Sequence, residues 1–495
     1  MDQITSLLND INQNNQKLPK VYSTTVISNV TRQKLLSYQE KHVVKLVNIL
    51  VKNCIALDSS ETGTGKTYAA VAVAKETNRK PIIVCPKTLI INWMSVMDHF
   101  GVEYYDIVNY ETIRNGKTYT SENYRFRKSS SYLEILDDSM ENFTGIKYQW
   151  KVPKDTIVIF DEVHRCKDPS TDNGKLLLSV KQLINEKIPA LILSATISDK
   201  LNDMKISFYL FGIIPEIRIY NSYIKSLKHK YPKYKLDKSK FKNKVQYQIA
   251  SSNVQALYIY EEIREFTSRI KIKDLGDKFP SNQIVCQQFI APETDEIEKA
   301  YQQITDHMVE LKEHPGENHL AKIQKLKQEI ELRKAPIFIE QAQLYLEENK
   351  SVIIFVNYLK TLEILVEALN IKCKIYGNQT IEERQKSIDQ FQSNQEKIII
   401  CQMRAGSVGI GLHDISGEHP RVTLINFPDS SSDLLQALGR APRSGAKSIV
   451  LQRIIFVANI NYEKIIMNNI NRKLANLSII NDGDLTNYRY QLKKK

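Results

Sequence analysis

The chain has 495 residues, of which 42% are hydrophobic and 25% are charged. This length is too great for a single hydrophobic core and predicts two or three domains, and the composition excludes a disordered or fibrous protein. The formal net charge of +13 favours a polyanionic partner such as nucleic acid. No run approaches the roughly 20 apolar residues that a membrane span needs, so no membrane partner is expected.

The amino terminus and the cysteines indicate the compartment. The first residues are polar and acidic, which does not suit a secretory signal, and residues 1–29 are interpreted as an extension. The six cysteines are scattered and include no Cys-x-x-Cys pair. This pattern predicts a reducing compartment and no structural zinc site.

The first functional signal is the pair Tyr38-Gln39, ahead of a helix rich in valine and leucine. A glutamine amide can read an adenine edge through two hydrogen bonds. Alone, Gln39 would be an ordinary surface residue. Its position some 25 residues before a glycine-rich turn predicts a contact with the base of a nucleotide.

That turn, residues 60–67, has the sequence Ser-Glu-Thr-Gly-Thr-Gly-Lys-Thr and lies between a short apolar run and a helical one. Backbone N–H groups and the helix N-terminus of such a turn cradle phosphates. Lys66 is predicted to reach the β- and γ-phosphates of ATP, and Thr67 to offer a hydroxyl to Mg²⁺. Ser60 stands where the pattern has glycine, so a chance loop-to-helix junction is the alternative. The predicted nucleotide contacts include Glu61, Thr62, Gly63, Thr64 and Gly65.

Two apolar runs end in polar residues, where ligands of open α/β sheets bind. Residues 155–161 form a predicted strand that ends in Asp161 and Glu162, followed by Val163 and His164. Asp161 suits Mg²⁺ held through its hydration shell, and Glu162 suits polarisation of the attacking water. The alternative is a pair of surface acids capping a helix. Residues 190–196 form another strand, whose hydroxyls are predicted to relay the phosphate state: Ser194 and Thr196.

The middle of the chain is basic and then helical. Residues 225–244 hold nine lysines against one acid, with tyrosines and Phe241 interleaved. One interpretation is a solvated loop, and the other is a phosphate-binding strip whose aromatic side chains stack on bases or pack on the domain below. Residues 293–311 and 320–347 are predicted to be exposed helices. The lysines singled out for nucleic-acid contact are Lys233, Lys235, Lys238 and Lys240.

A second α/β series begins at residue 351. One buried strand runs into a turn whose glycines include Gly406 and Gly409, which allow a sharp bend. A later segment contains Gln436, Arg440 and Arg443. The two arginines are predicted to share a face at a helix start and to clamp a γ-phosphate as an arginine finger. The alternative is structural salt bridging within the second domain.

Together these segments resemble the motifs of superfamily 2 helicases, from about residue 30 to 470. Residues 161–164 match the DExH form of the second motif, and residues 436–443 carry the polar positions of the sixth. The resemblance implies that the catalytic residues are Lys66, Asp161, Glu162, Gln436, Arg440 and Arg443. The remaining motifs correspond to 38–39, 60–67, 84–89, 194–196, 355–357 and 405–412.

Within that superfamily the chain is most similar to the Swi/Snf-like branch of double-stranded DNA translocases. The residues that carry this likeness are Asn92-Trp93, Asn109-Tyr-Glu111, His164-Arg165, the Gly406-x-x-Gly409 turn and the segment 269–280. The third motif, Ser-Ala-Thr-Ile, departs towards general DExH helicases, and Met403 occupies a position where threonine or serine is common. The compact, lysine-rich design also resembles helicases of large DNA viruses, some of which serve transcript termination.

The resemblance implies an α/β fold with two RecA-like parallel-sheet domains in tandem and a mostly helical insertion between them. The expected boundaries are 30–215 for the first domain, 216–344 for the insertion, 345–472 for the second domain and 473–495 for a basic tail. Arg440 and Arg443 would reach the γ-phosphate only when the cleft closes, which converts ATP hydrolysis into stepping.

The expected function is ATP-dependent movement along nucleic acid, with duplex DNA favoured and ATP and Mg²⁺ as cofactors. The residues expected to couple hydrolysis to nucleic acid are His164, Ser194, Thr196, Gly406 and Gly409, besides the four lysines. A monomer is expected inside the cell, in cytoplasm or nucleus or in a virion, working with transcription or replication machinery. The alternatives are a DExH RNA helicase, a transcript-release ATPase, a metabolic P-loop enzyme, or a non-catalytic scaffold that would have lost Lys66, Glu162 or Arg440.

Overall fold

The computed structural model describes residues 26–120, 126–136, 147–195, 201–234, 236–241, 243–276, 279, 282–314, 318–406, 410–482 and 492–494. The chain divides into two compact units, one ending at Asp274 and one running from Leu275 to Arg472, with the carboxyl-terminal residues shared between them. Each unit has its own parallel sheet and its own hydrophobic core. The prediction of two RecA-like α/β domains in tandem is confirmed.

The described strands of the first unit, in chain order, are β1 (Ile55–Asp58), β2 (Lys80–Cys85), β3 (Asp106–Asn109), β4 (Lys117–Tyr119), β5 (Arg127–Ser129), β6 (Leu133–Ile135), β7 (Tyr148–Trp150), β8 (Thr156–Asp161), β9 (Ala190–Leu193) and β10 (Thr267–Ser268). Six of them form a parallel sheet in the order β10-β1-β9-β8-β2-β3. Two short antiparallel pairs, β4–β5 and β6–β7, lie outside that sheet.

The register of this sheet brings the ends of three strands side by side. Asp58 of β1 is paired with Leu193 of β9, and Leu193 is in turn paired with Asp161 of β8. Because all three strands are parallel, the segments that follow them leave the same edge of the sheet. The glycine-rich turn, the acidic pair and Ser194 therefore all begin at the same edge of the sheet.

The helices of the first unit follow the predicted alternation with strands. The helix Glu40–Asn53 buries an apolar face, and Cys54 ends it in the left-handed conformation, with φ of 59°. The described helices are Asn29–Arg32, Glu40–Asn53, Lys66–Glu76, Ile90–Phe100, Tyr110–Ile113, Asp172–Leu178, Val180–Asn185, Lys205–Leu210, Tyr220–Lys230 and Lys244–Ile263.

The described strands of the second unit are β11 (Asn282–Phe289), β12 (Ser351–Val356), β13 (Cys373–Ile375), β14 (Ile398–Gln402), β15 (Arg421–Asn426), β16 (Val450–Val457) and β17 (Leu492–Lys494). They form a seven-stranded parallel sheet in the order β13-β14-β12-β15-β16-β11-β17. The described helices of this unit are Thr294–Glu313, His319–Arg333, Ala335–Glu347, Leu359–Leu369, Ile381–Gln392, Met403–Gly406 and Ser431–Leu438, and a last helix, Asn461–Asp482, begins in it.

Residues 216–344, expected as an insertion, do not form a body of their own. The helices Tyr220–Lys230 and Lys244–Ile263 belong to the first unit, where Leu227 and Leu257 join its core. The helices Thr294–Glu313 and His319–Arg333 belong to the second unit, where Ile304 and Ile323 are buried. The reason is apolar burial, since each helix carries a hydrophobic face that only a neighbouring core can cover.

Candidate nucleotide site

The glycine-rich turn leads directly into the helix Lys66–Glu76, as predicted from the sequence. Gly63 and Gly65 have φ of 88° and 86°, which glycine adopts without strain. A Cβ at Gly65 would lie 2.3 Å from Nε2 of Gln39. Both this close contact and the positive φ disfavour a side chain at position 65. The Nζ of Lys66 donates to the backbone oxygens of Ser60 at 2.9 Å and Glu61 at 3.3 Å. The turn thus has the shape of a phosphate loop, with its lysine folded across it.

Gln39 lies against the turn and not at its surface. Its Nε2 donates to the backbone oxygens of Thr64 at 3.0 Å and Gly65 at 3.2 Å, and its Oε1 accepts from the N–H of Leu36 at 2.9 Å. The hydroxyl of Tyr38 also donates to the Thr64 oxygen, at 3.4 Å. Tyr38 and Gln39 therefore hold the phosphate loop in place, and the contact of Gln39 with an adenine stays a prediction.

Ser60, the departure from the glycine pattern, has a structural role. It has no positive φ, so the backbone does not require glycine there. Its buried Oγ accepts from the N–H of Ile270 at 2.9 Å and lies 3.3 Å from Nε2 of His42. The backbone N–H of Ser60 donates to Oδ1 of Asp58 at 2.9 Å. A glycine at this position would lack the hydroxyl that anchors the loop.

A buried contact between His42 and Asp58 lies next to the turn. Nε2 of His42 is 3.0 Å from Oδ2 of Asp58, and Nδ1 of the same ring is 2.8 Å from Oγ of Ser268. Burial acts to raise the pKa of Asp58, but the His42 charge and hydrogen bond outweigh it, so that pKa is lowered. No sequence pattern indicated this pair, because His42 lies on a helix that is otherwise apolar on its buried face.

The chain returns to the phosphate loop just before the second unit begins. The N–H of Ser59 donates to the oxygen of Ser268 at 3.0 Å, and the N–H of Ile272 donates to Oε2 of Glu61 at 2.7 Å. Arg269 donates to the Ser59 oxygen and pairs with Oε1 of Glu61 at 3.2 Å. We call residues 267–272 the brace, since they hold the loop through these contacts.

The acidic pair lies at the end of β8, with Asp161 buried. Nε1 of Trp93 donates to Oδ2 of Asp161 at 3.0 Å, and the hydroxyl of Tyr110 donates to the Asp161 backbone oxygen at 2.7 Å. Burial and the adjacent Glu162 charge raise the pKa of Asp161 to about 7, against the opposing charge of Lys66. Burial beside a second carboxylate thus destabilises the charged form of Asp161, and a divalent cation bound there would stabilise it.

Glu162 has φ of 58°, the left-handed conformation, which is unusual for a glutamate. Its Oε2 lies 3.3 Å from Nδ1 of His164, and the same ring nitrogen lies 3.3 Å from Oγ of Ser194. His164 therefore connects the second motif to the tip of β9. Thr196, predicted to share this relay, lies outside the described residues.

The residues present suit ATP with Mg²⁺. A carboxylate and a hydroxyl are hard oxygen ligands of the kind Mg²⁺ prefers, and these are Asp161 and Thr67. The glycine-rich turn and the acidic pair leave the same edge of the sheet, since Asp58 and Asp161 are both in register with Leu193 of β9. Bound there, Mg²⁺ would neutralise phosphate charge, while Lys66 and the turn would orient the triphosphate.

In the second unit, the arginines do not lie at a helix start, and that part of the prediction is wrong. Gln436 is in the helix Ser431–Leu438, which ends before Arg440 and Arg443. Gly439 follows the helix, and Pro442 disfavours helical backbone at the residue before it. The two guanidinium groups are therefore positioned by a turn.

Arg440 is buried, and its side chain is anchored to backbone. Its Nε donates to the oxygen of Gln436 at 2.9 Å, and one terminal nitrogen donates to the oxygen of Ile410 at 3.3 Å. Arg443 is half-buried beside Gly411, where an added Cβ would lie 3.0 Å from its Nη1 and 3.3 Å from Nδ1 of His413. The fifth and sixth motifs are thus packed together within the second unit.

The glycines of the fifth motif are only partly described. A Cβ at Gly406 would lie 2.5 Å from Cβ of Cys401, so the backbone approaches that side chain too closely for a larger residue. Gly409 lies outside the described residues, and its predicted role stays a prediction.

The described residues of the basic segment 225–244 lie mostly in helices and short helical turns, and they belong to the first unit. Tyr223 and Tyr231 donate to Glu262 at 2.7 and 2.6 Å, so these aromatic side chains pack on the domain below. Lys233 pairs with Oε1 of Glu261 at 3.0 Å, whereas Lys238 is exposed. Lys235 and the side chain of Lys240 are outside the described residues, so phosphate binding by the four predicted lysines stays a prediction.

This fold and site define a P-loop nucleoside triphosphatase with two RecA-like sheets. The model of the helicase conserved C-terminal domain matches residues 333–445, and that of the type III restriction enzyme, res subunit, matches residues 32–199. A protein of Acanthamoeba polyphaga mimivirus, named "Putative ATP-dependent RNA helicase", is 58% identical over 494 residues, which is 99% of this chain and 92% of that protein. The chain belongs to the superfamily 2 helicases. It hydrolyses ATP and uses Mg²⁺ with it.

Solved structures give more distant likenesses. The SWI2/SNF2 ATPase core of Sulfolobus solfataricus in complex with dsDNA is 17% identical with a TM-score of 0.34, and the alignment covers 95% of this chain and 96% of that one. S. cerevisiae Dbp5 bound to RNA and ADP BeF3 is 13% identical with a TM-score of 0.45, over 94% of each chain. Among the described residues, no helix is both long and apolar enough to cross a membrane.

Proposed function

We propose that this helicase uses ATP hydrolysis to translocate along nucleic acid, with duplex DNA as its preferred track. The support comes from the residues that resemble the Swi/Snf-like branch. Trp93 donates to the Asp161 carboxylate at 3.0 Å, Tyr110 donates to the Asp161 backbone oxygen, and Arg165 lies 3.9 Å from Oε1 of Glu111. These parts of the likeness thus lie around Asp161 and Glu162 and not at scattered surface positions.

The contact between Trp93 and Asp161 is the single observation that carries this proposal. It joins a branch-specific position to the carboxylate that suits the metal, in a place where the indole is fully buried. A buried indole N–H needs an acceptor, so this tryptophan and this aspartate constrain each other.

Coupling between the nucleotide and the nucleic acid is proposed to run through His164. The ring touches both Glu162 and Ser194, so a shift of the glutamate during hydrolysis would move the end of β9. The brace offers a second route, because Arg269 and Glu61 join the phosphate loop to the segment that continues into the second unit. Hydrolysis would further require Arg443 of the second unit, as the resemblance of the sixth motif implies.

RNA is the second candidate track. The observation that favours it is the name of the mimivirus relative, which is called an RNA helicase and is 58% identical to this chain. An enzyme of this second kind would unwind or release transcripts with the same ATP site.

A stimulation assay separates the two candidates. ATP turnover is measured at one salt concentration with duplex DNA, single-stranded DNA and RNA of equal length, and Lys66→Ala serves as the control for contaminating ATPase. We expect duplex DNA to stimulate most. Stronger stimulation by RNA than by duplex DNA would replace the first candidate by the second.

The lysines are tested by the salt dependence of binding. Lys225, Lys228 and Lys238 are exposed, and we propose that they bind phosphates, whereas Lys230 and Lys233 pair with Glu262 and Glu261. Replacing the exposed three by glutamine should flatten the plot of log affinity against log salt by about 0.9 for each phosphate that is no longer neutralised. Glutamine at the two paired lysines is the matched control. An equal slope in both variants would show that the exposed lysines face solvent and bind no phosphate.

A further inference from the structure

Two histidines and a glutamate converge on the helical hairpin at the start of the second unit. His307 and Glu310 lie one turn apart on the helix Thr294–Glu313, and His319 is the first residue of the helix His319–Arg333. Nδ1 of His307 is 3.0 Å from Oε2 of Glu310, Nδ1 of His319 is 3.2 Å from the same oxygen, and the two ring nitrogens are 3.3 Å apart. Three ligand-type atoms thus form a nearly equilateral triangle.

The size of this triangle matches a metal centre. A tetrahedral zinc ion with ligands at about 2.0–2.1 Å keeps neighbouring ligand atoms about 3.3 Å apart. All three of the measured edges lie close to that value. Two imidazole nitrogens and one carboxylate suit zinc and other divalent transition metals, whereas Mg²⁺ and Ca²⁺ prefer a shell made of oxygen.

The geometry points to a metal site that is separate from the ATP site: we propose that His307, Glu310 and His319 bind one divalent transition metal ion, with zinc the best match. Three protein ligands leave a fourth position for water or another small ligand. None of the three residues belongs to a helicase motif of this chain. The cysteine pattern, which predicted no structural zinc site, carried no information on this cluster because its ligands are histidine and glutamate.

The burial of the cluster supports a structural role for the ion. His319 is 3% exposed as a side chain, His307 is 23% exposed and Glu310 is 51% exposed, so one ligand comes from the interior and one from the surface. The ion would join the two helices across the short connection 314–318. The same helices bury Ile304 and Ile323 in the core of the second unit. Metal binding should therefore stabilise this unit, because an ion that binds the folded state shifts the unfolding equilibrium.

The competing arrangement has no metal. Each ring could carry a proton on Nδ1 and donate it to Glu310, which would give the same distances between heavy atoms. Zinc affinity distinguishes the two arrangements. A metal centre binds zinc tightly only when all three side chains are present, whereas a hydrogen-bonded cluster has no such requirement.

Zinc binding to the full-length, tag-free protein tests the proposal after removal of metal by a chelator. Titration with zinc alone, followed by calorimetry, should show one site, and cobalt should give the visible absorption of a tetrahedral centre. Glu310→Gln and His319→Ala should each weaken binding at least about tenfold. His314→Ala is the matched control, because His314 is an exposed histidine on the same connection.

A second readout covers the case in which His319→Ala fails to fold. Glu310→Gln alters an exposed side chain and should keep the fold, which circular dichroism checks. Zinc should raise the Tm of the wild type and of His314→Ala but not that of Glu310→Gln. Absence of zinc binding by the wild type, or equal zinc affinity in the wild type and Glu310→Gln, would overturn the proposal and leave a hydrogen-bonded cluster.

Discussion

Both units bury a carboxylate near the carboxyl ends of their parallel strands. The two carboxylates differ in the hydrogen bonds that they accept and in the charges beside them. In the second unit, Glu331 accepts from the N–H of Tyr358 at 3.0 Å, from the N–H and side-chain amide of Asn357, and from the amide of Asn426. In the first unit, Asp161 accepts from Trp93 and has Glu162 as a like-charged neighbour.

This difference separates a structural acid from a functional one. A carboxylate that receives several N–H donors can remain charged in the interior and ties strands together. One that lies beside another carboxylate has a raised pKa and gains from a cation. We therefore expect the metal and nucleotide chemistry at Asp161 in the first unit, and a stabilising network around Glu331 in the second.

Lys66→Ala should have the greatest consequence, since it removes the only side chain of residues 60–67 that carries a positive charge. ATP turnover should fall to assay background, because the β- and γ-phosphates no longer meet that charge. Lys41→Ala, at an exposed position on the helix Glu40–Asn53, is the control and should retain turnover. Normal turnover in Lys66→Ala would contradict the assignment of the nucleotide to the first unit.

Arg443→Ala tests whether the second unit contributes to the chemistry at all. We expect ATP to bind with unchanged affinity and to be hydrolysed about 10³-fold more slowly, as for the loss of an arginine finger. Binding of a fluorescent nucleotide and steady-state turnover distinguish the two effects. Lys447→Ala removes a nearby exposed charge as a control. If Arg443→Ala hydrolyses ATP normally with nucleic acid present, Arg443 is not an arginine finger.

Glu162→Gln and Glu331→Gln test the comparison directly. Glu162→Gln should lower turnover at least about 10²-fold, since a general base is removed, while the free energy of unfolding stays the same or rises as like charges are relieved. Urea unfolding and ATP turnover are measured on both variants. A loss of stability in Glu162→Gln would make this glutamate a structural acid like Glu331.

Glu331→Gln should show the opposite behaviour. The new amide presents donors to Asn357 and Asn426, which already donate there, so the free energy of unfolding should fall by about 2 kcal/mol or more. Turnover per folded molecule should remain close to wild type. Glu329→Gln, two residues earlier on the same helix, is the control and should change stability by less than about 0.5 kcal/mol.

A more modest change is expected from His413 and pH. Burial, with the Arg443 and Arg421 charges against the opposing Asp414, lowers the pKa of His413 from 6.5 to about 4. Between these values the unfolded chain binds a proton and the folded chain does not, so stability decreases as pH falls from about 6.5 towards 4. Allowing for partial exposure, the free energy of unfolding should drop by about 1–2 kcal/mol at pH 5. His413→Gln should reduce that drop; an unchanged pH profile would assign it to other groups.

The sequence predicted the parts of the site that depend on local pattern. The glycines at 63 and 65 specify a turn into a helix, and an apolar run before Asp161 specifies a buried strand with an acid at its end. Such signals are informative because the backbone conformation of a turn or a strand depends largely on neighbouring residues. The helix start predicted for Arg440 and Arg443 was wrong for a local reason as well, because Gly439 and Pro442 end the helix before them.

Pairings between distant segments have no such pattern. Arg269 lies about 210 residues from the Ser59 and Glu61 groups that it holds, and Trp93 lies 68 residues from Asp161. Nothing in the neighbourhood of either residue specifies its partner, since the partner is chosen by how the strands are ordered. The division of residues 216–344 between the two units had the same cause, because each core covers the helices that reach it.

The class of this protein could be read from the order of motifs along the chain, which defines a superfamily 2 helicase and its ATP chemistry. The folded structure was needed to find which polar residues act together: the buried pair of His42 and Asp58, the brace on Glu61, the donors around Glu331 and the triangle at His319. The physical reason is that a phosphate-binding turn is a property of adjacent residues. A hydrogen bond or a metal ligand set across elements exists only when the sheet and helices have brought its atoms within about 3 Å.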